Sequence, residues 1–265
     1  MKLVRFASGV VVGVAIGALV GTYWERPENR VCPSAYEALT RTDSHGQAAR
    51  QQLLEIVEQA HEEELQRRRI AETAAQLQAS TGMSSALETR LSRGASPDHA
   101  EDTVVLYTDY LCAYCGDANL ITKEFIKEHP QLRVVVRHLP RAPQSIRLAL
   151  FFEALGRQNP ETAWAFHDWA LTHAGQTTAQ AEQWIAGRSE IDADTLLKDI
   201  AAAKVVLNED IASAHGISST PTFVVNGLTL EGIVDLKTLE KALNASRRVR
   251  GGEDPQSVAI WFWQR

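Results

Sequence analysis

The stretch TVVLYTDYLCAYCGDANLITKEFIKEH, Thr103 to His129, decides the reading of this chain. Its opening run, Thr103-Val104-Val105-Leu106-Tyr107, is β-branched and aromatic and predicts a buried strand. Its close carries Leu120, Ile121, Phe125 and Ile126 as an apolar stripe with Lys and Glu opposite, and predicts a helix. Cys112-Ala113-Tyr114-Cys115 lies between the two. A C-x-x-C at a strand-to-helix junction points to a dithiol redox centre. An ionised sulfur at a helix N-terminus faces unpaired backbone N–H groups and the positive end of the macrodipole. A second sulfur one turn further in can attack a mixed disulfide formed by the first. Cys112 is therefore the expected nucleophile and Cys115 the expected resolving thiol, with no metal and no cofactor. Half a zinc site fits less well. The only other cysteine is Cys32, and no His-x(3–5)-His pair follows at finger spacing. Two unrelated buried cysteines also fit less well, because the pair sits where a redox motif belongs.

Downstream, Leu132 to Leu139 predicts a second strand that stops before Pro140. Strand, helix and strand in that order predict a parallel βαβ unit and an α/β fold class. Residues from about 145 to 215 read as helices, broken near Gln158-Asn159-Pro160, Gly175 and Gly187. Trp164, Phe166, Trp169, Leu171 and Trp184 supply bulky core side chains there. Strand character returns in Thr222-Phe223-Val224-Val225. Asn226-Gly227 then predicts a hairpin turn, Leu228-Thr229-Leu230 the returning strand, and Asp235 to Ala245 a closing helix. The apolar tail Val258 to Trp263 is either an edge strand or a segment folded back on the N-terminal part.

Upstream, Lys2 and Arg5 precede an uncharged run from Phe6 to Trp24, about the length that spans a bilayer. The basic flank places the N-terminus inside and the rest of the chain outside the cytoplasmic membrane. A cleaved signal peptide has a similar pattern. The length of the run, the lack of a clear A-x-A site and the interfacial Tyr23 and Trp24 favour a single-pass anchor over 1–24. Gly9, Gly13, Gly17 and Gly21 repeat every fourth residue, a pattern that lets membrane helices associate. Residues 25–42 read as a linker. It holds Cys32, which is open to three readings: unpaired, bridging two copies, or lipidated. Residues 43–81, rich in Ala, Gln, Glu, Arg and Leu, predict a long helix. Leu53, Ile56, Ala60, Ile70, Ala74 and Leu77 outline a broken heptad seam, so a coiled-coil stalk and a helix packed on the globular domain both stand. Residues 82–100 read as a second linker, 101–247 as the main domain and 248–265 as a tail. A net charge of −6 argues against nucleic acid, and three cysteines are too few for a disulfide scaffold.

The C-x-x-C after the first strand, the helical insertion and Thr220-Pro221-Thr222-Phe223 before the hairpin together resemble the thioredoxin superfamily. The resemblance is to its DsbA-like branch of extracytoplasmic thiol–disulfide oxidoreductases, over roughly Glu101 to Ala245. It implies a thioredoxin fold with a helical insertion, here preceded by a membrane helix and a long helical stalk. It also implies that Pro221 is cis, beside the active-site sulfurs, offering the Thr220 backbone to a substrate strand and keeping metal from the thiols. Ala113-Tyr114 lacks the histidine found in the strong oxidases of that family. Tyr114 and Thr220 look more like its isomerases and milder members, so the expected pair is less oxidising. Asp109 either tunes the thiols or accepts backbone N–H bonds at a strand end. His138, His167 and His173 are expected to be structural or surface residues.

The expected function is a membrane-anchored periplasmic thiol–disulfide oxidoreductase, oxidase or isomerase, acting on cysteines of client proteins with a separate redox partner. The alternative is an envelope scaffold that uses a thioredoxin-like domain for binding. A homo-oligomer through the Gly stripe and stalk fits either.

Overall fold

The computed structural model describes residues 39–40, 42–79, 91–173, 177–214 and 216–264. The chain falls into two units, residues 1–69 and 70–265. The expected membrane run, its glycines and Cys32 lie outside the described residues. Among those described, no helix is long and apolar enough to cross a membrane.

Helix α1, Ser44–Ala79, begins in the first unit. The Asp43 carboxylate accepts the Gly46 N–H at 3.0 Å, and the Arg50 guanidinium reaches the Leu39 carbonyl at 2.9 Å. These contacts satisfy polar groups that a helix end leaves unpaired. Arg68 pairs with Glu64 one turn away at 3.0 Å. Leu54, Ile56 and Leu65 stay exposed.

The second unit takes the last turns of α1. Thr73, Ala74 and Leu77 are buried, and the Gln76 side chain accepts the Thr229 N–H at 3.0 Å. Residues 70–79 thus pack on the globular unit. Strand β1, Ser92–Gly94, follows inside the segment expected to be a linker. Three residues are too few to show a strand period in the sequence. Gly94 has φ +91°, and a Cβ there would stand 2.3 Å from the Leu132 carbonyl oxygen, so the pairing of β1 depends on glycine.

Next come β2, Asp102–Thr108; α2, Cys115–Glu128; and β3, Leu132–His138. Strands β2 and β3 pair in parallel from Asp102↔Leu132 to Thr108↔His138, as the βαβ pattern predicts. The insertion comprises α3, Pro143–Gln158; α4, Pro160–Thr172; α5, Thr178–Ala186; and α6, Ala193–Ser213. Asn159 caps α4 by accepting the Thr162 N–H at 3.0 Å, and Asp192 caps α6 by accepting the Thr195 N–H at 2.6 Å. Leu148, Phe152, Leu155 and Phe166 form its buried core, lined by Trp164, Trp169 and Trp184.

The chain then returns through β4, Thr222–Val225, and β5, Leu228–Glu231. Asn226 and Gly227 have φ of 46° and 96°, the backbone an Asn-Gly hairpin requires. Helix α7, Leu236–Arg250, runs past the expected end at Ala245. Its last turn is held because Arg247 and Arg250 reach the buried Asp102 carboxylate; Arg247 Nη2 lies 2.6 Å from it. The tail is helix α8, Pro255–Trp263, and not a strand. Asp254 caps it through the Ser257 N–H at 2.8 Å, and Val258, Ala259 and Phe262 recur at helical spacing on the buried side. Trp263 Nε1 donates to the Thr73 hydroxyl at 2.9 Å, so the tail meets the end of α1.

The five-stranded sheet runs β1-β3-β2-β4-β5, with β2–β3 the parallel pair. Val104, Leu106 and Phe223 pack on one face with Phe125, Leu239 and Leu243. Val105, Tyr107, Val135 and Val224 pack on the other with Ala214 and Ile217.

Asp168 on α4 joins the insertion to this frame. It accepts from Arg93 on β1 at 3.0 and 3.1 Å, and from Asn119 and Lys123 on α2, each at 2.9 Å. Burial pushes its carboxyl up, but the bonds from Arg93, Asn119 and Lys123 outweigh that and lower it from 3.8 to about 2. A carboxyl lowered on folding contributes stability that is complete above its ordinary value and is lost as pH falls toward its folded one. Asp168→Asn should therefore weaken the protein at pH 7 and flatten the loss of stability between pH 3.8 and about 2. Circular dichroism melts across that window would show it; parallel acid limbs in variant and parent would refute it.

Candidate functional site

The two cysteines straddle the start of α2. Cys115 is its first residue, and its N–H is accepted by the Cys112 carbonyl at 3.2 Å, so the two side chains are one turn apart. Cys115 is 0% exposed. Its sulfur accepts the Asp109 N–H at 3.5 Å. The Thr108 hydroxyl, buried and without another partner, lies against the same sulfur. Burial pushes the Cys115 thiol up to about 12, against the smaller opposing pull of the Thr108 hydroxyl and the Asp109 N–H.

Cys112 is partly exposed. Its thiol donates to the Thr220 carbonyl at 3.2 Å, and the Thr220–Pro221 peptide is cis. The loop before Pro221 is tied down on both sides. Thr222 Oγ1 donates to the Ser219 carbonyl at 2.8 Å, Gly232 N–H to the Pro221 carbonyl at 2.8 Å, and the Arg141 guanidinium to the Ser218 carbonyl. The tertiary structure thus brings Cys112, Cys115, Thr220 and Pro221 together across more than a hundred residues of sequence.

Asp109 serves the backbone. Its carboxylate accepts the Leu111 N–H at 2.9 Å and the Arg141 N–H at 3.0 Å, and its carbonyl accepts the Cys112 N–H at 3.0 Å. It braces the cysteine loop against the loop after β3. Tyr114 is 61% exposed.

Sequence reasoning missed two features. The first is Gly116, next to Cys115. A Cβ there would lie 2.8 Å from the Leu171 carbonyl oxygen, so α4 can sit on the first turn of α2 only against glycine. The signal was a glycine inside a helix, which costs about 1 kcal/mol relative to alanine unless packing requires it. The second is a buried polar group behind the cysteine loop. The Tyr110 hydroxyl lies 3.1 Å from His138 Nε2 and 3.0 Å from His167 Nδ1. Glu153 and Asp210 flank His138 at 3.7 and 3.9 Å from Nδ1. Burial pushes the Tyr110 phenol well up and the His167 imidazole well down, so both are neutral. Strand alternation on β3 was the available signal, because it puts His138 on the same inward face as Val134 and Val136.

Among the described residues, two groups place three metal-ligand atoms within 4.8 Å of one another: Glu128, His129 and Glu240, and the buried His138, Glu153 and Asp210. Neither includes a cysteine.

The sequence matches the protein family described as Thioredoxin over residues 86–245. It is similar to the Na(+)/H(+) antiporter NhaA 3 of Salinispora tropica, 32% identical over 171 residues, which cover 60% of this chain and 26% of that protein. The chain thus spans about a quarter of the antiporter relatives it matches. It is also similar to Disulfide bond formation protein D of Bacillus subtilis, 26% identical over 168 residues, with 55% of this chain and 74% of that protein covered. Among solved structures it resembles a thioredoxin-like oxidoreductase from Silicibacter pomeroyi, with a TM-score of 0.53, 26% identity, and 59% and 91% of the two chains covered.

The two sulfurs should differ sharply in reactivity. Iodoacetamide at pH 8 on the folded, reduced protein is expected to label Cys112 and leave Cys115 intact until denaturant is added, because the buried thiol titrates only near 12. Peptide mass spectrometry reads this directly; equal labelling of both cysteines would contradict the burial described.

Proposed function

We propose that the chain, which belongs to the thioredoxin family, works in the manner of that family's DsbA-like branch and exchanges disulfides with cysteines of client proteins through Cys112 and Cys115. The observation that carries this reading is the pairing of a reachable sulfur with a buried one. Cys112 is held at 3.2 Å from the Thr220 carbonyl, and Cys115 lies behind it at 0% exposure.

In the oxidising direction a client thiolate attacks Cys112 Sγ of the disulfide. The Cys112–Cys115 bond breaks, and its electron pair goes to the Cys115 sulfur, which takes up a proton. A second client thiolate attacks the client sulfur of the mixed disulfide and releases Cys112. The client gains one disulfide and the pair is left reduced. The reducing direction is the same sequence reversed. The Thr108 hydroxyl and the Asp109 N–H are the donors that meet the Cys115 sulfur as charge develops on it. Thr220, next to the cis Pro221, offers backbone to an extended client segment on the Cys112 side. Asp109 positions the loop, and Tyr114 presents an exposed ring beside the sulfur that clients reach.

The finer reading places the catalytic unit outside the cytoplasmic membrane, in the periplasm, held by an anchor at Phe6 to Trp24. Gly9, Gly13, Gly17, Gly21 and the first part of α1 would bring copies together. The basic residues before the apolar run and the extracytoplasmic resemblance support it.

Cys115→Ser tests the exchange. It should accumulate mixed disulfides with clients on Cys112, released by dithiothreitol, whereas Cys112→Ser should form none. No adduct in either variant would leave the scaffold reading. The poise is tested separately on Cys32→Ser, equilibrated against glutathione. With Ala113-Tyr114 between the cysteines, the pair is expected near about −180 mV or below; a value near about −120 mV, that of a strong oxidant, would overturn the argument from that dipeptide.

A further inference from the structure

The buried group behind the cysteine loop contains an arrangement that disulfide exchange does not use. His138 ends β3, Glu153 comes from the middle of α3, and Asp210 from the last turn of α6. All three are buried, His138 to 1% exposure. Their ligand atoms lie within 4.8 Å of one another. His138 Nδ1 is 3.7 Å from Glu153 Oε1 and 3.9 Å from Asp210 Oδ2, and this nitrogen has no hydrogen-bond partner. Both separations exceed a hydrogen bond. Both fit within about 4.2 Å, the most that two bonds of about 2.1 Å to one cation can span.

The surroundings are those of a ligand set. A metal-bound histidine usually donates its other N–H to a neighbour, which fixes tautomer and orientation. Here His138 Nε2 lies 3.1 Å from the Tyr110 oxygen, and that hydroxyl lies 3.0 Å from His167 Nδ1. One phenolic proton can serve only one of the two rings. If it goes to His167, His138 donates from Nε2 and turns a bare Nδ1 lone pair toward the carboxylates. Asp210 Oδ2 is itself fixed by the His138 N–H at 2.9 Å, as ligating carboxylates commonly are.

The geometry points to a structural divalent-cation site made by His138 Nδ1, Glu153 and Asp210, binding a first-row ion of the Zn2+ or Mn2+ kind. One imidazole nitrogen with two carboxylate oxygens suits these ions better than a thiolate-seeking or an all-oxygen one. The ion would pin two helices of the insertion to the end of β3. Through Tyr110, two residues before Cys112, it would brace the cysteine loop.

The test uses the full chain, solubilised and without a polyhistidine tag. Cys112 and Cys115 are joined as a disulfide and Cys32 is alkylated, so that no thiol can take up metal. After incubation with Zn2+ or Mn2+ and desalting, elemental analysis should find about one ion per chain, and EDTA should lower Tm by several degrees. Glu153→Gln and Asp210→Asn should each cut metal content at least tenfold and abolish the EDTA effect, while Glu240→Gln, in the other cluster, should change neither. Parent protein that holds less than about a tenth of an ion and melts alike with Zn2+, Mn2+ or EDTA would overturn the site. It would assign the Tyr110 proton to His138 instead, leaving an Nδ1–H facing the carboxylates. Metal lost in Glu240→Gln but kept in Glu153→Gln would overturn it equally. Because the EDTA shift is read on the parent, the proposal stays testable even if a variant fails to fold.

Discussion

Helix α2 is the element that everything else must accommodate, and one backbone approach governs how. A Cβ at Gly116 would stand 2.8 Å from the Leu171 carbonyl oxygen. The insertion can therefore rest on the first turn of α2 only because that position has no side chain. The opposite side of α2 places Ala118 and Phe125 against the sheet with Leu106 and Leu243. Cys115 is caught between these layers, which is why its thiol is shut off from water. Cys112, one turn earlier, escapes to the rim. The asymmetry between the two sulfurs follows from packing on a single helix turn.

Three carboxylates hold the elements around that helix in place. Asp109 joins the cysteine loop to the loop after β3 by accepting two backbone N–H groups. Asp168 joins α4 to α2 and β1. Asp102, fully buried, joins the start of β2 to the last turn of α7 through Arg247 and Arg250 and also accepts from Asn226. Burial raises the Asp102 carboxyl, and its arginine and asparagine partners more than reverse this, so it remains ionised. Each of these bonds connects segments distant in sequence. A carboxylate desolvated in this way is costly to leave unpaired, which makes each junction specific.

Much of this was legible in the sequence. β-branched runs at Thr103–Tyr107 and Leu132–His138, separated by an amphipathic stretch, predict the parallel unit without reference to anything else. Asn226-Gly227 predicts its hairpin because few residue pairs tolerate that backbone. Ser92–Gly94 was not legible as a strand, since three residues carry no period and their pairing depends on Leu132 lying nearby. The tail was ambiguous for a related reason. Val258 to Trp263 is apolar nearly throughout, and only the Asp254 cap and the burial of Val258, Ala259 and Phe262 select a helix over a strand.

For the candidate site, the sequence by itself determined the spacing of the two thiols. A C-x-x-C where a strand gives way to a helix supports the proposed sulfur exchange, because adjacency along the chain already places the two sulfurs one turn apart. Only the tertiary structure decided what surrounds those sulfurs. Thr220 and Pro221 reach Cys112 through the pairing of β2 with β4. His138, Glu153 and Asp210 converge because the insertion folds its first and last helices, α3 and α6, over the end of β3. Residue type and spacing encode local geometry, whereas convergence of distant side chains depends on how whole layers pack, and no short window of sequence contains that.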